Sequence, residues 1–205
     1  MDRRAHWNEA WTTRSAESVS WYQSEPEPSL QLVKSVTSPG DAVIDIGGGA
    51  SGLAGALAAE GYLEVTVLDV SGAALNALKA RLGDRAARVR TIEADVLDYP
   101  FDSRKVALWH DRAAFHFLTE PSERARYRAQ LGLAVRSGGY AVVGTFAPDA
   151  PPRCSGLAVQ RYDGVELARE LGANWRVVEV LRHEHHTPSG VVQPFTFLVA
   201  RHFPD

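Results

Sequence analysis

Ala42-Val43-Ile44-Asp45-Ile46-Gly47-Gly48-Gly49-Ala50-Ser51-Gly52 is the stretch on which the reading of this chain turns. Its first five residues form a short, mostly apolar run of the kind that makes a buried strand. The run stops at three glycines. Leu53 to Glu60, rich in alanine and followed by Gly61, then has the pattern of a helix with a glycine stop. Gly47-x-Gly49-x-x-Gly52 therefore joins a strand to a helix. In that setting glycines allow a sharp turn and bring bare backbone close to a ligand. The helix N-terminus adds unpaired N–H groups.

The alternation continues outward. Val65 to Leu68 reads as a second strand with Asp69 at its carboxyl end, and Ser71 as the N-cap of a helix carrying Leu75, Leu78 and Leu82 before Gly83. Arg88 to Ile92 is a third strand, followed by Glu93-Ala94-Asp95-Val96. Lys105 to Trp109 is a fourth, followed by His110-Asp111-Arg112. Thr119 is placed to cap a helix with Pro121 in its first turn, running to about Val135 and stopped by Gly138-Gly139. Tyr140 to Thr145 is the fifth strand. Asp163 and Glu166 have capping-box spacing and open a helix that ends near Gly172. Trp175 to Arg182 and Gln193 to Ala200 have no helix between them but a turn signal, Thr187-Pro188-Ser189-Gly190, so they pair antiparallel. The expected fold is α/β, three-layered and doubly wound, with a mostly parallel sheet and an antiparallel C-terminal hairpin strand. Ligands of such sheets sit outside the carboxyl ends of the strands.

With 205 residues the chain makes a single domain, 1–205. Within it, 1–40 reads as a helical cover or lid, 41–145 as a cofactor-binding core, and 146–205 as a substrate-side loop, helix and β-hairpin. A hydrophobic fraction of 45% and a charged fraction of 23% are ordinary globular usage and exclude disordered and fibrous classes. A net charge of −3 supplies no basic field for nucleic acid. The single cysteine excludes an internal disulfide and a Cys₂His₂ zinc site. The start of the chain lacks a signal-peptide run and no segment has the apolar length of a membrane span, so the expected location is the cytoplasm, with no membrane partner.

Asp69 follows the glycine loop by about 20 residues, where a carboxylate can accept both hydroxyls of a ribose. Two cofactor classes suit that geometry. A nicotinamide dinucleotide lays a pyrophosphate on the helix N-terminus, whereas S-adenosylmethionine has no phosphate. Asp45 stands two residues before Gly47, where it repels a pyrophosphate but suits a methionine ammonium group. Asp95, at the third strand tip, is placed to accept from the adenine amino group. The length leaves little room for the substrate segment of a dehydrogenase. This balance favours the methyl donor.

Val43 to Gly52 resembles the first motif of class I S-adenosylmethionine-dependent methyltransferases. Leu68-Asp69-Val70-Ser71, Glu93-Ala94-Asp95-Val96 and Gly138-Gly139 before the fifth strand resemble the later motifs, in order. The resemblance covers Asp41 to Thr145 and implies a seven-stranded sheet with a closing hairpin. It also implies that Gly47, Gly49, Asp69 and Asp95 contact the cofactor, that Val70 and Val96 wall the adenine, and that His110 floors the methyl-transfer pocket. Trp7, Trp11, Ser20 to Gln23 and Pro28 to Leu32 resemble a branch containing protein-lysine methyltransferases and bacterial proteins. Those lysine enzymes carry an acid, a basic residue and a glycine after the fourth strand, where this chain has Asp111-Arg112-Ala113. With no basic face and no recognition module, the acceptor is expected to be a small molecule. A protein lysine is the alternative, and a nicotinamide-dependent oxidoreductase or a non-catalytic cofactor binder are alternatives of other classes.

Displacement at a sulfonium needs alignment first, and a base only where the acceptor arrives protonated. His110, Asp111 and His116 are the candidate catalytic residues, His110 having a natural pKa near neutrality. Trp21 and Tyr22 are candidates for a lid over the cofactor, and Trp7 and Trp11 for core or lid packing. Cys154, His183 and His185 are the candidates for a zinc-type site, against the plainer reading of a polar hairpin rim and an incidental thiol.

Overall fold

The computed structural model describes residues 2–15, 17–103 and 105–203. Helices α1 (Arg3–Thr13) and α2 (Ser29–Val36) precede the sheet. The core then alternates as read: β1 (Val43–Ile46), α3 (Leu53–Ala59), β2 (Val65–Asp69), α4 (Gly72–Leu82), β3 (Val89–Glu93), β4 (Val106–Arg112), α5 (Pro121–Ala134) and β5 (Val135–Phe146). A two-stranded hairpin, β6 (Arg153–Cys154) and β7 (Leu157–Ala158), leads to α6 (Gly164–Leu171). The chain closes with β8 (Trp175–His186) and β9 (Val192–His202). The seven-stranded sheet has the order β3-β2-β1-β4-β5-β9-β8. Every pair from β3 to β5 is parallel, and β9 runs against both β5 and β8.

Period-two alternation sorts the strand side chains into two cores. Val43, Val67, Leu108 and Val142 face α2, α3 and α4, where Leu32, Leu57 and Leu78 are buried against them. Ile44, Ile46, Trp109 and Val143 face α5 and α6 through Tyr127, Leu131 and Leu167. That gives the three layers.

Local signals held where the chemistry is local. The Ser71 side chain accepts from Ala74 N at 3.1 Å, and Gly83 ends α4 with φ +55°. Asp163 and Glu166 form both halves of a capping box. Three readings need correction. The N-cap of α5 is Glu120, not Thr119: the N–H groups of Glu123 and Arg124 in the first turn donate to the Glu120 carbonyl, and no side chain caps the turn. Gly138 and Gly139 do not stop a helix. They lie inside β5, where the β4–β5 register shifts and a Cβ on Gly139 would stand 2.8 Å from the Ala107 carbonyl. The segment after β5 is a small hairpin, turned at Ser155 and Gly156, both at positive φ.

Removal of the α6 cap by Asp163→Ala is expected to lower the unfolding free energy by about 1 kcal/mol, measured by chemical denaturation. Unchanged stability would mean that the helix is held by its Leu167 and Leu171 packing alone.

Candidate active site

A crevice outside the carboxyl ends of β1, β2 and β4 holds a cavity of about 170 Å³. Its floor begins with Asp45, which is 2% exposed. Asp45 Oδ1 lies 2.7 Å from His110 Nδ1, and Ser51 Oγ donates to its Oδ2 at 3.2 Å. The other ring nitrogen of His110 lies 2.8 Å from Ser29 Oγ at the start of α2. A carboxylate on Nδ1 favours the tautomer with the proton there, leaving the Nε2 lone pair to accept from Ser29. The loop above this chain has no room for side chains. A Cβ at Gly48 would run into the Asp45 carboxylate, and one at Gly47, whose φ is +63°, would stand 2.6 Å from Ala114 Cβ.

Asp69 is buried at the end of β2 and accepts from Ser71 N at 2.8 Å, with the Gly49 and Val70 N–H groups also turned to it. Burial outweighs those donors and raises its pKa to about 6. Asp95 accepts from Leu97 N at 2.9 Å and lies 3.6 Å from Arg3, which also pairs with Glu123. Asp95, Val70 and Val96 line the cavity together, beside Asp69.

Helix α1 roofs the crevice. Trp7 and Trp11 meet Trp21 edge-on at centroid distances of 5.8 and 5.7 Å, and Trp11 lies against Gly49. Asn8 Oδ1 accepts from Ser71 Oγ at 2.8 Å and Ala73 N at 3.3 Å, which docks α1 on the start of α4.

The three candidate catalytic residues part company. Strand β4 continues through Arg112, so His110 and Asp111 point to opposite faces. His110 lines the cavity; Asp111 does not. Asp111 instead accepts from Ala114 N at 2.9 Å, Phe115 N at 3.1 Å and the Tyr127 hydroxyl at 2.7 Å. Its role is structural. Burial raises its pKa to about 6 despite these donors. His116 is fully buried outside the cavity lining, and burial, assisted by the Arg112 charge, lowers its pKa to about 3. A histidine so weakly basic is no proton acceptor near neutrality. Among the described residues no three His, Cys, Asp or Glu side chains gather as metal ligands. His185 Nε2 is engaged by the Ser20 carbonyl at 2.7 Å, and Cys154, buried on β6, lines the cavity without joining any such group among the described residues. The site also contains Ser29 and Arg112, which lie within sequence motifs but take no role from them, and two residues that no motif announced, Arg3 and Arg81, the latter donating through Nη1 to the Ala50 carbonyl at 2.8 Å.

A family model described as a methyltransferase domain matches residues 43–139, the span holding the glycine loop, Asp69, Asp95 and His110. Over that span the chain carries a methyltransferase domain. Solved structures agree on the fold. A protein studied for conversion of a disulfide bond into a thioacetal group during echinomycin biosynthesis is similar at 18% identity and TM-score 0.79, over 98% of this chain and 93% of that one. The Burkholderia thailandensis 1,6-didemethyltoxoflavin-N1-methyltransferase, bound to 1,6-didemethyltoxoflavin and S-adenosylhomocysteine, is similar at 20% identity and TM-score 0.70, over 98% and 84%. A S-adenosylmethionine-dependent methyltransferase from Anabaena variabilis is similar at 14% identity and TM-score 0.75, over 98% and 96%. No curated protein matches the chain.

The crevice suits S-adenosylmethionine chemically, with bare glycine backbone beside buried carboxylates. No helix among the described residues is long and apolar enough to cross a membrane.

The raised pKa of Asp111 fixes the sign of its contribution to stability. The folded group binds its proton below about 6 and the unfolded group below about 4, so its stabilising share is full below pH 4 and lost as pH rises through 6. The Asp111→Asn methyltransferase lacks that dependence. Its stability relative to wild type is expected to rise by on the order of 2–3 kcal/mol between pH 4 and 7 in parallel denaturation curves. Curves that stay a constant distance apart would show an unperturbed carboxylate.

Proposed function

We propose that this protein transfers the methyl group of S-adenosylmethionine to a small-molecule acceptor, releasing S-adenosylhomocysteine. The observation that carries this reading is the position of Asp45: a buried carboxylate directly beneath the glycine loop, bonded to Ser51 and His110. Negative charge there disfavours a pyrophosphate and favours the ammonium end of a phosphate-free cofactor. Asp69 then takes the ribose hydroxyls, Asp95 the adenine amino group, and Val70 and Val96 the faces of the ring. Gly47 and Gly49 admit the cofactor against bare backbone, and Trp21 closes over it. The aromatic roof of Trp7, Trp11 and Trp21 narrows the crevice, which suits a small acceptor better than a folded protein.

When bound, S-adenosylmethionine supplies an electrophilic methyl carbon on a sulfonium. What the chain contributes is alignment, exclusion of water and, for a protonated acceptor, a base. His110 has the role of that base. Asp45 holds its Nδ1 proton and orients the ring, so the basic Nε2 faces Ser29 Oγ, which either yields its place to the acceptor or relays the proton.

Calorimetry is expected to show binding of S-adenosylmethionine and S-adenosylhomocysteine and none of nicotinamide dinucleotides. Asp69→Ala should weaken S-adenosylhomocysteine binding by roughly 1–3 kcal/mol. Preferential dinucleotide binding overturns the reading, and unchanged affinity in a folded Asp69→Ala protein overturns the ribose assignment. His110→Gln is expected to lower turnover at least about tenfold while shifting cofactor affinity little. The opposite pattern would make His110 a residue of cofactor packing.

A further inference from the structure

We propose that the methyl acceptor is a small organic acid, and that Arg112 receives its carboxylate through the free Nε–Nη2 edge of the guanidinium. This deepens the methyl-transfer reading and rests on it. Arg112 ends β4 two residues beyond His110, on the same face, roughly 7 Å along the strand. Its Nη1 donates to the Trp21 carbonyl at 3.1 Å, and its guanidinium lies over the Phe195 ring, 5.0 Å from the centroid. Those two contacts fix the plane and leave one edge free. Nε and Nη2 are out of contact with solvent and have no hydrogen-bond partner among the described residues, although Arg112 lines the cavity.

The groups around it offer no counter-charge. No carboxylate among the described residues lies within 4.0 Å of the guanidinium, and Asp45, the acid that acts on it electrostatically, is committed to His110 and Ser51. His116 is neutral, burial lowers His185 to about 4, and burial raises the Cys154 thiol. Burial brings Arg112 itself down to about 10, which leaves it charged near neutrality. A buried, uncompensated cation is unfavourable in a structural role, since neutral side chains pack such a place better. A ligand that supplies the missing anion accounts for it.

The geometry also narrows the ligand. Two parallel N–H groups on a planar fork match the two oxygens of a carboxylate. Trp21 lines the cavity beside this edge, and the ring of Phe195 backs the guanidinium from the core. An acid held there reaches toward His110 with a hydroxyl, thiol or amine a few atoms from its carboxylate. The cofactor's own methionine carboxylate has the same chemistry. Arg112, however, leans toward the β9 side of β4: Phe195 belongs to β9, and the neighbouring Cys154 and His185 to β6 and β8, although Asp45 of β1 also acts on it. Entry of the acid must shift the cover at Trp21, so tryptophan fluorescence reports it.

The test titrates the full chain, saturated with S-adenosylhomocysteine, with benzoate and its neutral isostere benzamide. Benzoate is expected to bind at least about tenfold more tightly. Arg112→Gln should abolish that preference, and Arg112→Lys, which keeps the charge without the fork, should restore only part of it. Arg112→Gln should leave S-adenosylhomocysteine affinity unchanged and the melting temperature no lower than that of wild type. Absence of benzoate binding, equal binding of the two probes, or a preference that survives in Arg112→Gln overturns the proposal. So does an Arg112→Gln protein that loses affinity for S-adenosylhomocysteine but not for 5′-methylthioadenosine, because Arg112 then serves the cofactor's carboxylate. If Arg112→Gln does not fold, the drop in preference in Arg112→Lys decides. Wild-type protein that binds no S-adenosylhomocysteine overturns the methyl-transfer reading, and the benzoate–benzamide comparison on cofactor-free protein still decides Arg112.

Discussion

A carboxylate buried at a strand end has to be satisfied, and the way Asp45 is satisfied organises the crevice. One oxygen takes His110 from β4, and the other takes Ser51 from the glycine loop. Through His110 the same chain reaches Ser29 and so fixes the start of α2. Three elements distant in sequence are thereby held at one point. The bareness of the loop follows, since any side chain on Gly48 would displace the carboxylate that holds the arrangement together. Loss of Asp45 would leave His110 free to turn and Ser29 without its partner.

A second constraint is the pleat of β4. Side chains alternate along it, so His110 and Arg112 look into the cavity while Asp111 between them looks into the opposite core. There Asp111 takes the Tyr127 hydroxyl, which in turn accepts from Trp109 Nε1 at 2.8 Å. The turn after β4 hangs from the same carboxylate through Ala114 and Phe115. One strand tip therefore carries both a wall of the crevice and the post that supports it.

The parts of this fold that could be read from the chain were those written locally. A serine before a leucine-spaced helix, an Asp-x-x-Glu box and a glycine cluster after an apolar run each depend on neighbours within a few residues, and each formed. Asp45 and Asp69 at the strand tips were legible for the same reason, because each lies at the end of an apolar run. The role of Asp111 was not, since β4 runs three residues past Trp109 and the pleat, not the order of residues, decides which face each side chain meets. His116 titrates as no free histidine would because the core closes over it. Arg3, Ser29 and Arg81 reach the crevice across long separations in the chain, whereas Arg112 enters it from beside His110 through the pleat of β4. Cys154, His183 and His185 look like a ligand set only while their distances are unknown.

Strand β9 is the one member of the sheet that runs backwards, so it meets the crevice with its beginning, where the others meet it with their ends. Phe195, near that beginning, sits a short hairpin away from the Thr187 to Val191 turn. Lengthening, shortening or recolouring that turn would reshape the backing of Arg112 without directly touching the glycine loop or its acids, which belong to β1 and β2. Because His185 on the same hairpin also holds the Ser20 carbonyl, such a change would be felt first at the Trp21 cover and only through it at the loop.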